Sequence, residues 1–410
     1  MVEVVTFDNG LRTVLVPCEA ESVAVGVFVR SGSRHETAET AGISHFIEHM
    51  LFKGTPARKA VDITRAIEGR GGNFNAFTGE ESTCYFAHLP SEYLGEAVDI
   101  LSDMYLHASI PADEFEREKA VVLEEIKMYA DEPDAVAMEN LQRNLFPRSA
   151  LGAPVAGSAR SLGPLKPADL KRYIRSHYRP DNTVVVIAGA FDAKKAARMV
   201  ERAFRVRRGG SAAPVPVDRP LAGRPVAEQT VAKDVSQVQL ALGYRTFGIR
   251  DRRKYAATVM DAVLGRGMMS RLFQEVREKR GLSYDISSRM QLFEDAGMFV
   301  VAAGLDPAKS GVALATIDRE LGRLREKPVP AAELGRVKEF LVGNFRLSHE
   351  KVVSKMFFYG HTVMAFGRIV SPEAQVAGIR SVTASDVQAV AKAVFRPSCR
   401  SVSWVVPRGA

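Results

Sequence analysis

Cysteine is scarce in this chain. Cys18, Cys84 and Cys399 are odd in number, far apart and unpatterned, which excludes a disulfide framework and a zinc-knuckle spacing. They read as isolated reduced thiols of a reducing compartment. Long apolar runs are also missing: no stretch reaches the roughly eighteen residues a membrane span needs. No signal peptide is recognisable, because Met1 leads straight into VEVVTFDNGLRTVLVP. A soluble, cytoplasmic protein without a membrane partner is the expectation. The charge of +8 comes from 56 Lys and Arg against 48 Asp and Glu. That excess is spread thinly, with Arg252-Arg253-Lys254 among its densest clusters and no aromatic-interleaved basic stripe. Nucleic acid is therefore not an expected partner.

What is present suits a globular protein, with 46% hydrophobic and 25% charged residues. A length of 410 residues exceeds one compact core and points to two domains. Asp8-Asn9-Gly10, set between alternating runs, predicts a hairpin. Up to residue 207, strand-like runs such as SVAVGVFVR, STCYFAHL and NTVVVIAG interleave with helical stretches. The fold class is α+β. Residues 208–228, RGGSAAPVPVDRPLAGRPVAE, hold four prolines and read as a semi-rigid linker. The expected domains are 1–207 and 229–410.

Parts of the second half repeat the first. LKPADLKRYIRSHYRPDNTVVVIAG from Leu165 aligns with VTASDVQAVAKAVFRPSCRSVSWVV from Val382. Asp169 meets Asp386, and Arg179-Pro180 meets Arg396-Pro397. IPADEFEREKAVVLEEI from Ile110 aligns with VPAAELGRVKEFLVGNF from Val329. Both pairs fall in the same order, so the chain reads as two copies of one α+β unit.

Residues 41–55, AGISHFIEHMLFKGT, carry the chemistry. Ile43, Phe46, Ile47, Met50 and Leu51 give a helical apolar pattern. His45 and His49 lie one turn apart on one face, where two imidazoles reach a single zinc ion. Glu48 leans toward the same face, placed to take a proton from water. The order H-x-x-E-H is the inverted zinc-peptidase signature. The competing reading is an exposed histidine pair, which the apolar flanks disfavour.

A catalytic zinc needs a third protein ligand and an open position. The stretch ADEFEREKAVVLEEIKMYADEP offers Glu118 and Glu125, seven apart on one face beside Val121, Val122 and Ile126. Acids on a half-apolar stripe are costly without a cation opposite them. Glu114, Glu116 and Glu124 read instead as a solvated face. In the second copy Glu118 aligns with Val337 and Glu125 with Asn344, and H-x-x-E-H is absent. One copy bears the metal and the other does not.

HFIEHMLFKGT, GGNFNAFTGEESTCYF, EREKAVVLEEI and LGRGMMSRLFQEVREKRGLSYDI resemble, in order, the motifs of the pitrilysin-type (M16) zinc metallopeptidases. The likeness is strongest to the processing-peptidase β subunit and its bacterial relatives, and it covers almost the whole chain. It implies one Zn²⁺ per chain on His45, His49 and Glu125, with Glu48 as base. Glu118 would support the site from its outer shell. Asn75, Ala76 and Phe77 would be substrate-binding, and the following strand, around Ser82–Ala87, would be the edge that takes up an extended peptide. Arg277 and Tyr284, from spacing alone a surface helix residue and a core strand residue, would stabilise the oxyanion.

The resemblance also implies two homologous domains, each a mixed, mostly antiparallel sheet with packed helices, forming half of a clam-shaped chamber. The activity it implies is zinc-dependent endopeptidase cleavage of peptides or unfolded segments in the bacterial cytoplasm. The expected assembly is a homodimer, or a heterodimer with a metal-free homologue. The alternative is a non-catalytic core-type or peptide-binding subunit of a larger assembly.

Overall fold

Asp8-Asn9-Gly10 reverses the chain between β1 (Glu3–Thr6) and β2 (Arg12–Pro17), which pair antiparallel with Thr6 opposite Arg12. Gly10 takes a φ of 92°, and Asn9 Oδ1 accepts the Leu11 N–H at 3.0 Å. Both are the services Gly and Asn provide in turns. The computed structural model describes residues 2–205 and 227–409, and these fall into two units.

The first unit contains residues 2–127, 153–205 and 347–370. To the hairpin it adds β3 (Ser22–Val29), β4 (Asn73–Thr78), β5 (Thr83–Pro90) and β6 (Thr183–Gly189), in the order β1-β2-β6-β3-β5-β4. Only β2 and β6 pair in parallel. The run TVVVIAG of β6 is buried throughout, which explains why it shows no alternation. One face of the sheet packs Val25, Val27 and Val29 against Phe46, Ile47, Leu101 and Phe115. The other packs Val14, Phe28 and Val186 against Met356, Tyr359 and Val363 of the helix Val352–Phe366. A Cβ on Gly360 of that helix would lie 2.4 Å from the Phe28 ring, so the close approach requires glycine.

The second unit contains residues 128–152, 227–346 and 371–409. Its strands are β7 (Ala227–Lys233), β8 (Val238–Phe247), β9 (Ser283–Leu292), β10 (Ala296–Leu305) and β11 (Arg400–Pro407). Their order is β7-β11-β8-β10-β9, with β7 and β11 parallel. Helices Lys254–Gly265, Ser310–Glu326 and Ala384–Val394 contribute Met260, Ile317 and Val390 to one core. The helix Pro133–Leu145 sets Leu141 and Leu145 on the opposite face, against Ala241, Val300 and Val405.

The duplication is visible in topology. The path β2-β6-β3-β5-β4 is repeated as β7-β11-β8-β10-β9. The aligned helices Ala112–Asp131 and Ala331–Glu350 each span 20 residues, and Pro167–His177 and Ala384–Val394 each span 11. Asp169 and Asp386 cap their helices alike, accepting the N–H of Lys166 at 2.9 Å and of Thr383 at 2.8 Å.

The units are not the contiguous segments 1–207 and 229–410. Residues 128–152 group with the second unit and 347–370 with the first. The reason is apolar: each exchanged helix covers a sheet face that its own half of the chain leaves open. Of the expected linker 208–228, residues 208–226 lie outside the described residues, while Ala227 and Glu228 open β7.

Candidate metal centre

The helix Ile43–Leu51 buries Ile43, Phe46, Ile47, Met50 and Leu51, as its periodicity predicted. Phe46 meets Phe115 of the helix Ala112–Asp131 with ring centroids 4.9 Å apart, which ties the histidine helix to the acid helix. The opposite face carries His45 and His49, with ring centroids 4.8 Å apart. Glu125 Oε2 stands 3.7 Å from His45 Nε2 and 3.4 Å from His49 Nε2.

One donor atom from each of these three residues lies within 4.8 Å of the other two. Three ligands at the usual zinc bond lengths sit about 3.3 Å apart in a tetrahedron, so the set suits zinc with little adjustment. The donor chemistry agrees: two imidazoles and one carboxylate leave a fourth position open. Burial, aided by His49 and opposed by Glu125, pushes His45 down to about 4, so it is neutral, as a ligand must be.

The two acids of the long helix separate into distinct roles. Glu118 is buried, and its Oε2 lies 3.2 Å from His49 Nδ1 while its Oε1 pairs with Lys53 Nζ at 2.5 Å. It therefore holds the His49 ring from behind, while Glu125 is the acid that reaches both imidazoles. Lys53 supplies the cation that a buried carboxylate requires. Sequence reasoning missed Lys53, although it stands one turn beyond His49 in the same motif.

Glu48 accepts a hydrogen bond from Thr78 Oγ1 at 2.6 Å. Burial raises its pKa, with Thr78 and His49 acting against the shift and Glu125 adding to it. A raised carboxylate is a stronger base near neutrality. Thr78 was also missed. The strand that carries Asn75 to Phe77 was noticed, but which side chains of it face the helix was not.

That strand corrects the expected edge. β5 runs between β3 and β4, so Ser82–Ala87 is interior, and β4 is the outer strand. Side chains alternate along β4. Phe74 meets Phe52 at 4.8 Å and Thr78 meets Glu48 on the helix side. Phe77 packs instead with Phe357 and His361 on the other face, and Asn75, opposite Phe86, shares that face. Asn75 is exposed and its Oδ1 accepts the Ala76 N–H at 2.8 Å.

Arg277 and Tyr284 come together in the second unit. Arg277 lies on the π-helical turn Phe273–Glu278, its guanidinium carbon 4.8 Å from the Phe273 ring centroid and 5.1 Å from that of Tyr284. Tyr284 is 79% exposed on the edge strand β9, which corrects the core position that spacing alone suggests.

A family model described as Insulinase (Peptidase family M16) matches residues 13–159, and one described as Peptidase M16 inactive domain matches 164–341. The chain belongs to the M16 peptidase family. A Bacillus subtilis (strain 168) protein named Uncharacterized zinc protease YmxG is 34% identical over 396 residues, 96% of each chain. A Streptomyces coelicolor protein, also named an uncharacterized zinc protease, is 36% identical over 96% of this chain and 87% of its own. The crystal structure of a protease from Helicobacter pylori superposes with a TM-score of 0.92 at 22% identity, covering 99% of both chains. That likeness shows the M16 fold. Among the described residues, no helix is long and apolar enough to cross a membrane.

Proposed function

We propose that this M16 chain is a zinc-dependent endopeptidase acting on peptides or unfolded segments in the bacterial cytoplasm. The observation that carries the reading is the convergence of His45, His49 and Glu125, with Glu48 on the same helix. The relatives named zinc proteases support it.

His45, His49 and Glu125 would hold the zinc. The ion, when bound, acidifies water and polarises a carbonyl. Glu48 takes the proton from the attacking water and passes it to the leaving amine. Thr78 holds Oε2, which keeps Oε1 turned to receive that proton. Glu118 and Lys53 keep the His49 ring in place. The outer backbone of β4 takes up the peptide as an added strand. Arg277 and Tyr284 donate to the developing oxyanion. A chain that carries both sets can form a homodimer in which each subunit's Arg277 and Tyr284 serve its partner's metal.

The test is Glu48→Gln. Zinc content should stay at that of the wild type, while cleavage of a mixed peptide pool, read by mass spectrometry, should fall about 100- to 10,000-fold. Undiminished cleavage by the zinc-loaded variant would defeat the assignment.

A further inference from the structure

The two imidazoles of the metal pair are held in different ways. His49 lies in the last turn of its helix, and Glu118, itself tied to Lys53, fixes its ring. His45 lies in the first turn. Its Nδ1 is buried and has no hydrogen-bond partner among the described residues. The position of His45 therefore depends on where the helix backbone begins.

That beginning has no cap of its own. The residue at the N-cap is Gly42, with a φ of 91° and no side chain to accept the free N–H groups. An uncapped first turn frays readily. A residue from outside the helix supplies the acceptor. Glu36 Oε2 accepts the Gly42 N–H at 2.7 Å, and Oε1 accepts the Ser44 N–H at 2.8 Å. One carboxylate thus bridges the two backbone donors that bracket Ile43, immediately before His45. The Ser44 hydroxyl also interacts with Glu36, and it lies 3.1 Å from Tyr173 Oη and 3.3 Å from Ser31 Oγ.

A carboxylate at a helix N-terminus is favoured by the backbone dipoles, but this one is half-buried. Burial pushes Glu36 up to about 7, against the pull of the Ser44 and Gly42 N–H groups. A half-buried acid, bonded to the helix start and to neither imidazole, has a geometric duty.

We propose that Glu36 is the positioning residue for His45, setting that imidazole through the helix backbone as Glu118 sets His49 through its ring. The inference rests on the zinc reading above. Glu36→Gln keeps the shape but turns an N–H₂ toward one of the two backbone donors, so one bond is replaced by a repulsion.

The test is a cycle of zinc affinities, measured by chelator competition on metal-free protein. Glu36→Gln should weaken zinc binding about 10- to 100-fold, the range seen for outer-shell partners. The same substitution in a His45→Ala background should change the residual affinity little. In a Glu118→Gln background it should act in full. In the loaded enzyme, kcat should fall more than KM rises, and Glu36→Asp, which keeps two acceptor oxygens, should recover part of the loss.

A loss in the His45→Ala background as large as in the wild type would make Glu36 a general stabiliser and overturn the proposal. Unchanged zinc affinity in Glu36→Gln would overturn it while leaving the zinc reading intact. Wild-type protein that binds no zinc would overturn both. Should Glu36→Gln fail to fold, Glu36→Asp carries the same cycle.

Discussion

Thr78 donates its hydroxyl hydrogen to Glu48 at 2.6 Å across 30 residues of sequence, and so a β-strand steadies the carboxylate proposed as the base. Thr78→Val keeps the side-chain shape and removes the donor. The expected result is a kcat lower by about 10- to 100-fold with zinc content unchanged, since a bond to a charged group contributes roughly 1.5–3 kcal/mol. Thr78→Ser should retain most of the rate. Steady-state kinetics on the three proteins, with metal analysis, checks this.

Lys53 and Glu118 form a relay to His49. Lys53→Met should leave a buried carboxylate without its cation, at a cost of about 3–5 kcal/mol of stability if Glu118 stays ionised. Glu118→Gln should cost less stability but weaken zinc about 10- to 100-fold. Urea unfolding and chelator competition, run on both variants, should therefore rank them in opposite orders.

If sites are completed across subunits, two inactive proteins can restore one another. His45→Ala lacks a proposed metal ligand, and Tyr284→Phe lacks the proposed phenol donor while keeping the ring beneath Arg277. Mixing them under conditions that allow subunit exchange should recover about a quarter of the wild-type activity, the share set by random pairing when one intact site forms per mixed dimer. No recovery after exchange proven by mass spectrometry would count against the shared site.

His35 predicts a pH dependence of stability. Burial, with His177, Arg30 and Arg34 nearby, pushes it down to about 4 from its ordinary 6.5. Below 6.5 the unfolded chain takes up a proton that the folded chain refuses. Its contribution is therefore complete above that pH and is lost as the pH falls toward 4, by at most about 1.4 kcal/mol per unit. His35→Asn should flatten the difference in unfolding free energy between pH 7.5 and pH 5 relative to the wild type.

The sequence made the site legible where chemistry is local. H-x-x-E-H places two imidazoles on one helical turn whatever surrounds it, and Glu118 and Glu125 share a face because seven residues make two turns. Spacing alone could not say which acid faces the imidazole pair, for both are equally placed on their own helix; only the family resemblance singled out Glu125. Only the packing of Phe46 on Phe115 sets Glu125 between the imidazoles and Glu118 behind His49.

The misread edge has a similar cause. STCYFAHL is the more apolar strand because it lies inside the sheet, between β3 and β4. Tyr284 was misjudged in the opposite direction, since an aromatic residue in a strand pattern reads as core while β9 leaves it in the open.

Taken alone, the chain determined what repeats over short distances: the duplicated unit, the hairpin at Asp8-Asn9-Gly10, the amphipathic helices and the spacing of His45 and His49. These follow from backbone periodicity and turn chemistry, which neighbouring residues settle among themselves. Tertiary structure alone decided the meeting of Thr78 with Glu48, the grip of Glu36 on the start of the histidine helix, and the exchange of one helix between the two halves. Those depend on strand register and on which apolar face finds cover, and both are properties of the whole packed molecule.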